Sequence, residues 1–299
     1  MDLIHPQLAA FAAVVEEGSF DAAAQRVSVT PSAVSQRIKA LENRLGHVLV
    51  VRQAPCRPTQ AGEKLLRRVR PMLTLEAEAL ADFLPEQNDA AAMSAIAIAV
   101  NDDSLETWFV AALARLHREY GYLFDVRMDD ESHTLDLLRD GSVLGAVTAE
   151  AKPLQGCNAQ PLGTMRYRAI ASPEFAKCHF AHGLDAAAFA RAPMIIFNRK
   201  DELQWRFVHR ITRARLAPPV HYLPTATGFV EAASRGLGWC LAPESLIAPA
   251  LHKKAIVILD PRRSIDVPLY WQYSAVRSLT LQRISQALRE VAASALGAK

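Results

Sequence analysis

Apolar positions recur at helical spacing over the first part of the chain and predict three short helices. The first covers residues 5–17, and Gly18 suits its end. Two more are predicted at 21–27 and 31–45, with a three-residue turn between them. The last helix has an apolar stripe at spacings of four, three and four, formed by Val34, Ile38, Leu41 and Leu45. The pattern therefore predicts a small helical domain with its own core.

The residues around the third helix supply its start and its stop. Thr30 is a good N-cap because its hydroxyl can accept a free backbone N–H, and Pro31 suits the first helical position. Gly46 suits the C-terminal end. A β-branched segment at 47–52 and a turn at 53–57 follow, and they predict a wing beside a helix-turn-helix.

The third helix and the wing carry the groups that DNA recognition requires. Hydroxyl, amide and cationic side chains suit base edges and phosphates. An ordinary helical hairpin with a solvated polar face, or solvated surface arginines, would show the same residues. The candidate DNA-binding residues are Thr30, Pro31, Ser32, Ser35, Gln36, Arg37, Lys39, Arg52 and Arg57.

The distribution of charge favours DNA binding over a solvated hairpin. Residues 26–70 contain ten Lys and Arg but only two Glu, an excess of eight positive charges in a chain of net charge +3. Such a concentration of positive charge is typical of a phosphate-binding surface.

One long helix is predicted at 60–84, followed by a hinge at 85–91. Pro71 lies inside this helix, where a proline removes a hydrogen bond and clashes with the preceding turn. We therefore expect a kink or a break near Val69. The apolar stripe of the helix consists of Leu65, Leu66, Val69, Met72, Leu73, Leu80 and Phe83.

Short apolar strands alternate with amphipathic helices over the rest of the chain. Strands at 95–100, 124–128 and 143–148 are separated by helices, which predicts a parallel sheet with a ligand crevice at the carboxyl ends of its strands. The alternation continues towards the C-terminus and includes a helix predicted at 203–216. A chain of 299 residues is expected to form two or three domains rather than one core.

Acidic residues follow two of these strands. Asp102 and Asp103 come after the first strand, and Asp129, Asp130 and Glu131 come after the second. Carboxylates around a crevice suit a cationic ligand. Exposed turns are also commonly acidic, which is the simpler explanation of the same pattern.

Other classes of function lack support in the sequence. No apolar run reaches the roughly 18 residues that span a bilayer, and we expect no signal peptide. Four widely spaced cysteines without a CxxC pair suggest reduced thiols in a cytoplasmic protein rather than disulfides or zinc. Because no catalytic or nucleotide-binding motif is present, we expect no enzyme, no cofactor and no metal.

Residues 5–62 resemble the winged helix-turn-helix of LysR-type transcriptional regulators. The resemblance rests on the opening helix, on Gly18-Ser19-Phe20, on the segment 30–35 and on the wing end at 57–62. It implies a DNA-binding domain at 1–58, a linker (dimerisation) helix and hinge at 59–91, and an effector-binding domain at 92–299.

The same resemblance implies that the effector-binding domain is an α/β unit with the two-lobed, type 2 periplasmic-binding-protein-like fold. Lobe one would comprise 92–163 and 270–299, and lobe two 164–269. Two crossover strands, near 162–168 and 268–273, would join the lobes, and the ligand would lie between them.

Several segments resemble the ArgP/LysG subgroup, whose members sense lysine and arginine and control basic amino-acid export. These segments are 101–108, 129–134, 141–147 and 269–271. Gly145 fits the subgroup, because many LysR-type proteins have Asp there. Asp102 departs from it, because the subgroup usually has a small residue at this position. That acid either tunes the preference for a cation or faces solvent.

Within this resemblance, the position of each residue indicates its role in effector binding. Ser104 and Thr107 lie where a helix N-terminus can hold the ligand carboxylate, while Asp103, Asp129 and Glu131 suit its cationic end. Residues from other elements face the same crevice. The full set of candidate effector-binding residues is Asp103, Ser104, Thr107, Asp129, Glu131, Thr148, Thr225, Ala226 and Thr227.

The sequence thus predicts a transcriptional regulator set by L-lysine or L-arginine that controls a basic amino-acid exporter or a related gene. Its expected partners are double-stranded DNA with an interrupted palindrome, a second copy in a homodimer or homotetramer, and RNA polymerase, but no membrane. Two alternatives are a LysR-type regulator with a non-cationic effector and a DNA-architectural protein without an effector. The large C-terminal part argues against the latter.

Overall fold

The computed structural model describes residues 4–81, 95–128 and 134–297. Its first part is a winged helix-turn-helix that continues into a long helix. In chain order its elements are α1 (Pro6–Glu17), α2 (Phe20–Arg26), α3 (Pro31–Leu45), β1 (Val50–Val51), β2 (Arg57–Pro58) and α4 (Gln60–Ala81). The two short strands of the wing pair antiparallel.

The start and stop of α3 are as predicted. The Thr30 hydroxyl accepts the Ala33 backbone N–H at 3.2 Å, Pro31 is the first helical residue, and Gly46 ends the helix with a φ of 69°. The apolar stripe is only partly correct. Leu45 is 41% exposed, because α3 extends one turn beyond Leu41, its last buried residue.

The linker helix α4 runs without a break through Pro71. The break expected near Val69 therefore does not occur, and the helix is held by contacts on both sides of the proline. Part of its apolar stripe packs into the core of the DNA-binding domain, through Leu65, Leu66, Val69 and Leu73. Met72 and Leu75 remain exposed.

Polar contacts join α4 to the α/β part of the chain. Arg67 donates to the carbonyl of Arg139 at 2.7 Å, and Arg70 donates to the carbonyl of Gly141. These carbonyls lie at the C-terminal end of a short helix, where cations are stabilising. Arg70 also pairs with Glu16 of α1 at 3.2 Å. The linker helix thus bridges the DNA-binding domain and the α/β part.

The α/β part alternates strands and helices as the pattern predicts. Its helices are α5 (Asp102–Ser104), α6 (Val110–Tyr120), α7 (Thr134–Arg139), α8 (Pro173–His179), α9 (Ala186–Arg191), α10 (Leu203–His209), α11 (Ala226–Ser234), α12 (Glu244–His252) and α13 (Leu279–Ala295). Its strands are β3 (Ile96–Val100), β4 (Phe124–Met128), β5 (Gly145–Thr148), β6 (Cys157–Ala171), β7 (Met194–Ile196), β8 (Val220–Tyr222), β9 (Cys240–Pro243), β10 (Val257–Ile258) and β11 (Ile265–Ser274).

Two long strands join the two lobes of this α/β part. β3 pairs in parallel with β4 and β5, which confirms the predicted parallel sheet of lobe one. β6 and β11 are antiparallel to each other and continue the sheet to β9 and β10 of lobe two. They are the expected crossover strands. β7 and β8 form a small parallel sheet in lobe two.

One predicted helix is too long. α10 ends at His209 rather than at residue 216. The Thr212 hydroxyl accepts the Ala214 N–H at 3.1 Å, and this side-chain turn replaces a further helical turn. Among the helices of residues 4–81, 95–128 and 134–297, none is long and apolar enough to cross a membrane.

Candidate functional site

The candidate DNA-reading residues of α3 fall largely on one face. Ser32, Ser35, Gln36 and Lys39 are three or four positions apart, so they lie above one another on the helix. Ser32, Gln36 and Lys39 are exposed, as are Thr30 and Pro31 at the helix start. Arg37 is half-buried and lies on the neighbouring flank of the helix. Four of the five predicted residues of the helix body therefore present one polar surface.

The two arginines of the wing have different surroundings. Arg52 donates to the Ser35 hydroxyl at 3.3 Å, pairs with Glu42 at 3.7 Å, and lies 5.2 Å from the centre of the Phe20 ring. These contacts fix the wing against α3. The side chain of Arg57 is exposed on β2 and makes no hydrogen bond or ion pair within the described residues. It is therefore available to a phosphate.

A groove of about 760 Å³ separates the C-terminal half of α3 from the wing. Gly46 and Val48 line it together with polar and charged side chains, of which only Glu42 is anionic: Lys39, Glu42, Asn43, His47 and Arg52. The groove continues the positive surface that the sequence indicates.

The candidate effector site begins where β3 ends. Asn101 precedes a continuous helical segment made of α5, a π-helical turn at Leu105–Phe109, and α6. Single π-helical turns inside α-helices are frequent at functional sites. Thr107 lies in this turn, and its hydroxyl donates to the carbonyl of Asp103 at 2.6 Å. Thr107 also lines a cavity of about 650 Å³ beside β6 and β11.

Asp103 is held by the crossover strand. The buried Tyr167 of β6 donates its hydroxyl proton to Asp103 Oδ2 at 2.6 Å. This bond places a carboxylate at the base of the crevice between the lobes, with its orientation fixed by a side chain that cannot move freely. The tyrosine could not be recognised from the sequence, because 64 positions separate it from Asp103.

Two buried polar atoms lie beside this carboxylate without a hydrogen-bond partner in the described part of the chain. They are Ser104 Oγ and Asn101 Oδ1, in residues that are 0% and 6% exposed. Buried polar groups usually have hydrogen-bond partners, so these atoms require an explanation. A hydroxyl without such a partner can form a hydrogen bond with a bound ligand. Thr148 is buried as well. The register of β3 with β5 brings it level with Asn101 at the same edge of the sheet.

Lobe two meets this edge through the start of α11. Thr225 is the N-cap of that helix, and its hydroxyl accepts the Gly228 N–H at 3.3 Å and lies 3.3 Å from the Thr227 hydroxyl. The next residue, Ala226, donates its backbone N–H to Asp102 Oδ2 at 2.5 Å. Asp102 therefore faces lobe two, not solvent.

The structure thus places Asp103, Ser104 and Thr148 at the same edge of lobe one as Asp102, which contacts the turn 225–227 of lobe two. Asp129 and Glu131 lie outside the described residues, so their predicted role stays a prediction. Within the described ranges no group of three or more His, Cys, Asp or Glu could hold a metal ion.

Gly145 of β5 packs directly against the ring of Trp271 in lobe one. A β-carbon at this position would lie 2.1 Å from Cη2 of Trp271. The indole of Trp271 is fully buried, and its N–H donates to Ser285 at 2.9 Å. The indole ring of Trp271 therefore leaves no space for a side chain at position 145.

A winged helix-turn-helix joined by a long helix to a two-lobed α/β domain defines the class of ligand-responsive bacterial transcription regulators. Comparison with known families agrees. Residues 5–63 match the bacterial regulatory helix-turn-helix proteins of the lysR family, and residues 92–293 match the LysR substrate binding domain. The chain belongs to the LysR family, and it is a DNA-binding transcriptional regulator.

Similar proteins carry related names. The chain is 48% identical to the HTH-type transcriptional regulator LysG of Mycobacterium bovis, over 96% of this chain and 93% of that protein. It is 42% identical to the lysine export transcriptional regulatory protein LysG of Corynebacterium glutamicum, over 96% and 97%. These relatives are regulators, not enzymes.

Two solved structures resemble the whole chain. The crystal structure of ArgP from Mycobacterium tuberculosis has a TM-score of 0.84 and 46% identity, and the match covers 99% of this chain and 100% of that one. Full-length LysG from Corynebacterium glutamicum with bound effector Arg has a TM-score of 0.75 and 40% identity, covering 98% and 100%.

Proposed function

We propose that this regulator takes a basic amino acid, L-arginine or L-lysine, as its effector and controls the export of basic amino acids from the cytoplasm. Two neighbouring features carry the proposal: the oriented carboxylate of Asp103, and the buried hydroxyl of Ser104, which has no hydrogen-bond partner among the described residues. The relative from Corynebacterium glutamicum with bound effector Arg supports it.

These two groups suit the two ends of such a ligand. A hydroxyl near the start of a helical segment can donate to an α-carboxylate, and the helix dipole favours an anion there. A carboxylate can accept charge-assisted hydrogen bonds from a guanidinium or an ammonium group. An anionic effector would be repelled by Asp103, which disfavours an anionic ligand, and a neutral ligand would leave the Asp103 carboxylate without a cationic partner.

The proposed site is tested by calorimetric titration of the full chain with arginine. The substitution Asp103→Asn removes the charge but keeps the size, and it is expected to weaken binding at least tenfold, because hydrogen bonds to charged groups contribute about 1.5–3 kcal/mol. Glu106→Gln is the matched control, since Glu106 is exposed on the same helical segment. Unchanged affinity in Asp103→Asn would reject the assignment.

We also propose that the regulator binds an interrupted palindrome as a homodimer or a homotetramer, and that effector binding alters its contact with RNA polymerase. The exposed Met72 and Leu75 on α4 support self-association, because apolar residues on a long helix favour pairing with a second copy. Sedimentation of Met72→Glu against the unchanged chain tests this. A dimer that persists equally in the variant would exclude this face.

A further inference from the structure

We propose that the carboxylate of Asp102 takes the place of the effector's carboxylate when no effector is bound. By accepting the first backbone N–H of α11, Asp102 closes the crevice between the lobes. This inference rests on the proposed function for the identity of the effector, but the closure itself does not depend on it. The bond joins Asp102 Oδ2 to the Ala226 nitrogen at 2.5 Å, across 124 positions of sequence.

The geometry is that of an anion held at a helix N-terminus. α11 is nine residues long, and Ala226 is its first residue. The N–H groups of a first turn have no partner within their own helix, and the positive end of the helix dipole favours a negative charge. Thr225 already caps the Gly228 N–H. The carboxylate of Asp102 therefore accepts the Ala226 N–H, a donor that the Thr225 side chain does not satisfy.

The neighbouring groups of lobe one indicate that this position belongs to the effector. Asp102 lies between Asn101 and Ser104 in the segment 101–104, and the buried side-chain oxygens of these two residues have no partner among the described residues. An α-carboxylate that entered the crevice to reach the Ser104 hydroxyl would meet the start of α11 on the opposite side. There it would compete with Asp102 for the Ala226 N–H, and the negative charge of Asp102 would repel it.

Two consequences follow from this arrangement. The crevice is partly closed before any effector binds, since one residue of lobe one is already bonded to lobe two. The effector also binds less tightly than it would without Asp102, because it must displace a carboxylate that is tethered to the protein. A contact between Asp102 and the cationic end of the ligand would have the opposite effect on affinity.

The closure is tested by hydrogen exchange on the full chain without effector. Asp102→Ala is expected to raise the exchange rate of the amide of Ala226 about tenfold or more, since a hydrogen bond to a charged group is lost. Asp102→Asn keeps an acceptor oxygen and the size of the side chain, so its effect should be smaller. Glu106→Gln controls for the loss of a negative charge. Unchanged exchange in Asp102→Ala overturns the proposal.

The proposal that Asp102 occupies the position of the effector's carboxylate is tested by calorimetry with L-arginine on the same proteins. Asp102→Ala is expected to bind arginine about tenfold more tightly than the unchanged chain, and weaker binding overturns the proposal. If arginine binds none of these proteins, the proposed effector is wrong, and the exchange result alone then decides whether Asp102 closes the crevice. Thermal unfolding of Asp102→Ala and Asp102→Asn checks that both variants retain the fold.

Discussion

Glu78 of the linker helix accepts the backbone N–H of Thr280 at 2.8 Å, so a residue of α4 caps the first turn of α13. The Leu279 N–H and the Ser278 hydroxyl donate to the same carboxylate. Burial raises the pKa of Glu78, but the hydrogen bonds from Ser278, Thr280 and Leu279 outweigh it and hold this pKa below its ordinary value. The contact therefore favours the ionised form.

This contact predicts a pH-dependent contribution to stability. A carboxyl whose pKa is depressed on folding stabilises the fold above its unfolded value, near 4.3, and loses that contribution as the pH falls through the folded value. Glu78→Gln should therefore lower the unfolding temperature at pH 7, with a cost of about 1 kcal/mol. The difference should vanish at acidic pH. An equal difference at both pH values would contradict the assignment, and Glu106→Gln serves as the control.

Arg70 lies where the DNA-binding domain and lobe one meet. It contacts Glu16 of α1 and the carbonyl of Gly141, and burial lowers its pKa against the opposing effect of Glu16. Arg70→Ala should reduce the change in operator affinity that arginine causes, because a contact shared by both domains is lost. The measurement is operator binding with and without arginine. Arg68→Ala, an exposed neighbour on the same helix, should leave that change intact.

Gly145 tests the packing beneath the candidate effector site. Gly145→Ala places a methyl group into the ring of Trp271, and overpacking of this kind costs about 1–3 kcal/mol. The unfolding temperature should fall accordingly. Combining the change with Trp271→Leu should restore part of the loss, because the space is then available. Strictly additive effects of the two substitutions would show that the clash is not the cause.

Substitutions on the DNA-binding surface should weaken DNA binding in two different ways. Arg57→Ala should weaken binding to all DNA sequences alike and reduce the slope of log affinity against log salt by about 0.9, because one phosphate contact is lost. Gln36→Ala should instead cost about 1–3 kcal/mol at one base pair of the operator. Binding measured on the operator and on unrelated DNA at several salt concentrations separates the two. A sequence-specific loss in Arg57→Ala would contradict its phosphate role.

Local features of this fold are readable from the sequence, and contacts between distant segments are not. Thr30 and Gly46 were predictable because a cap depends on neighbours within one turn of helix. Leu45 is exposed, contrary to the predicted stripe, because helical periodicity does not reveal where a neighbouring core ends. The expected break at Pro71 is absent for the same reason: tertiary contacts on both sides of the proline keep α4 continuous, and the local sequence does not reveal them.

The candidate effector site shows this limit most clearly. The acidic residues after β3 were identified from their position, but their partners, Tyr167 and Ala226, lie 64 and 124 positions away. Whether Asp102 faces solvent or lobe two depends on how the lobes close, which no local pattern encodes. The same applies to Glu78, which acts as a cap for a helix some 200 positions distant.

The most direct test of the account is calorimetric titration of the full chain with arginine, lysine, glutamine and glutamate. The oriented carboxylate of Asp103 predicts that arginine and lysine bind, whereas glutamine and glutamate do not. Binding of glutamate, or of glutamine as tightly as arginine, would contradict a site built for a cationic effector.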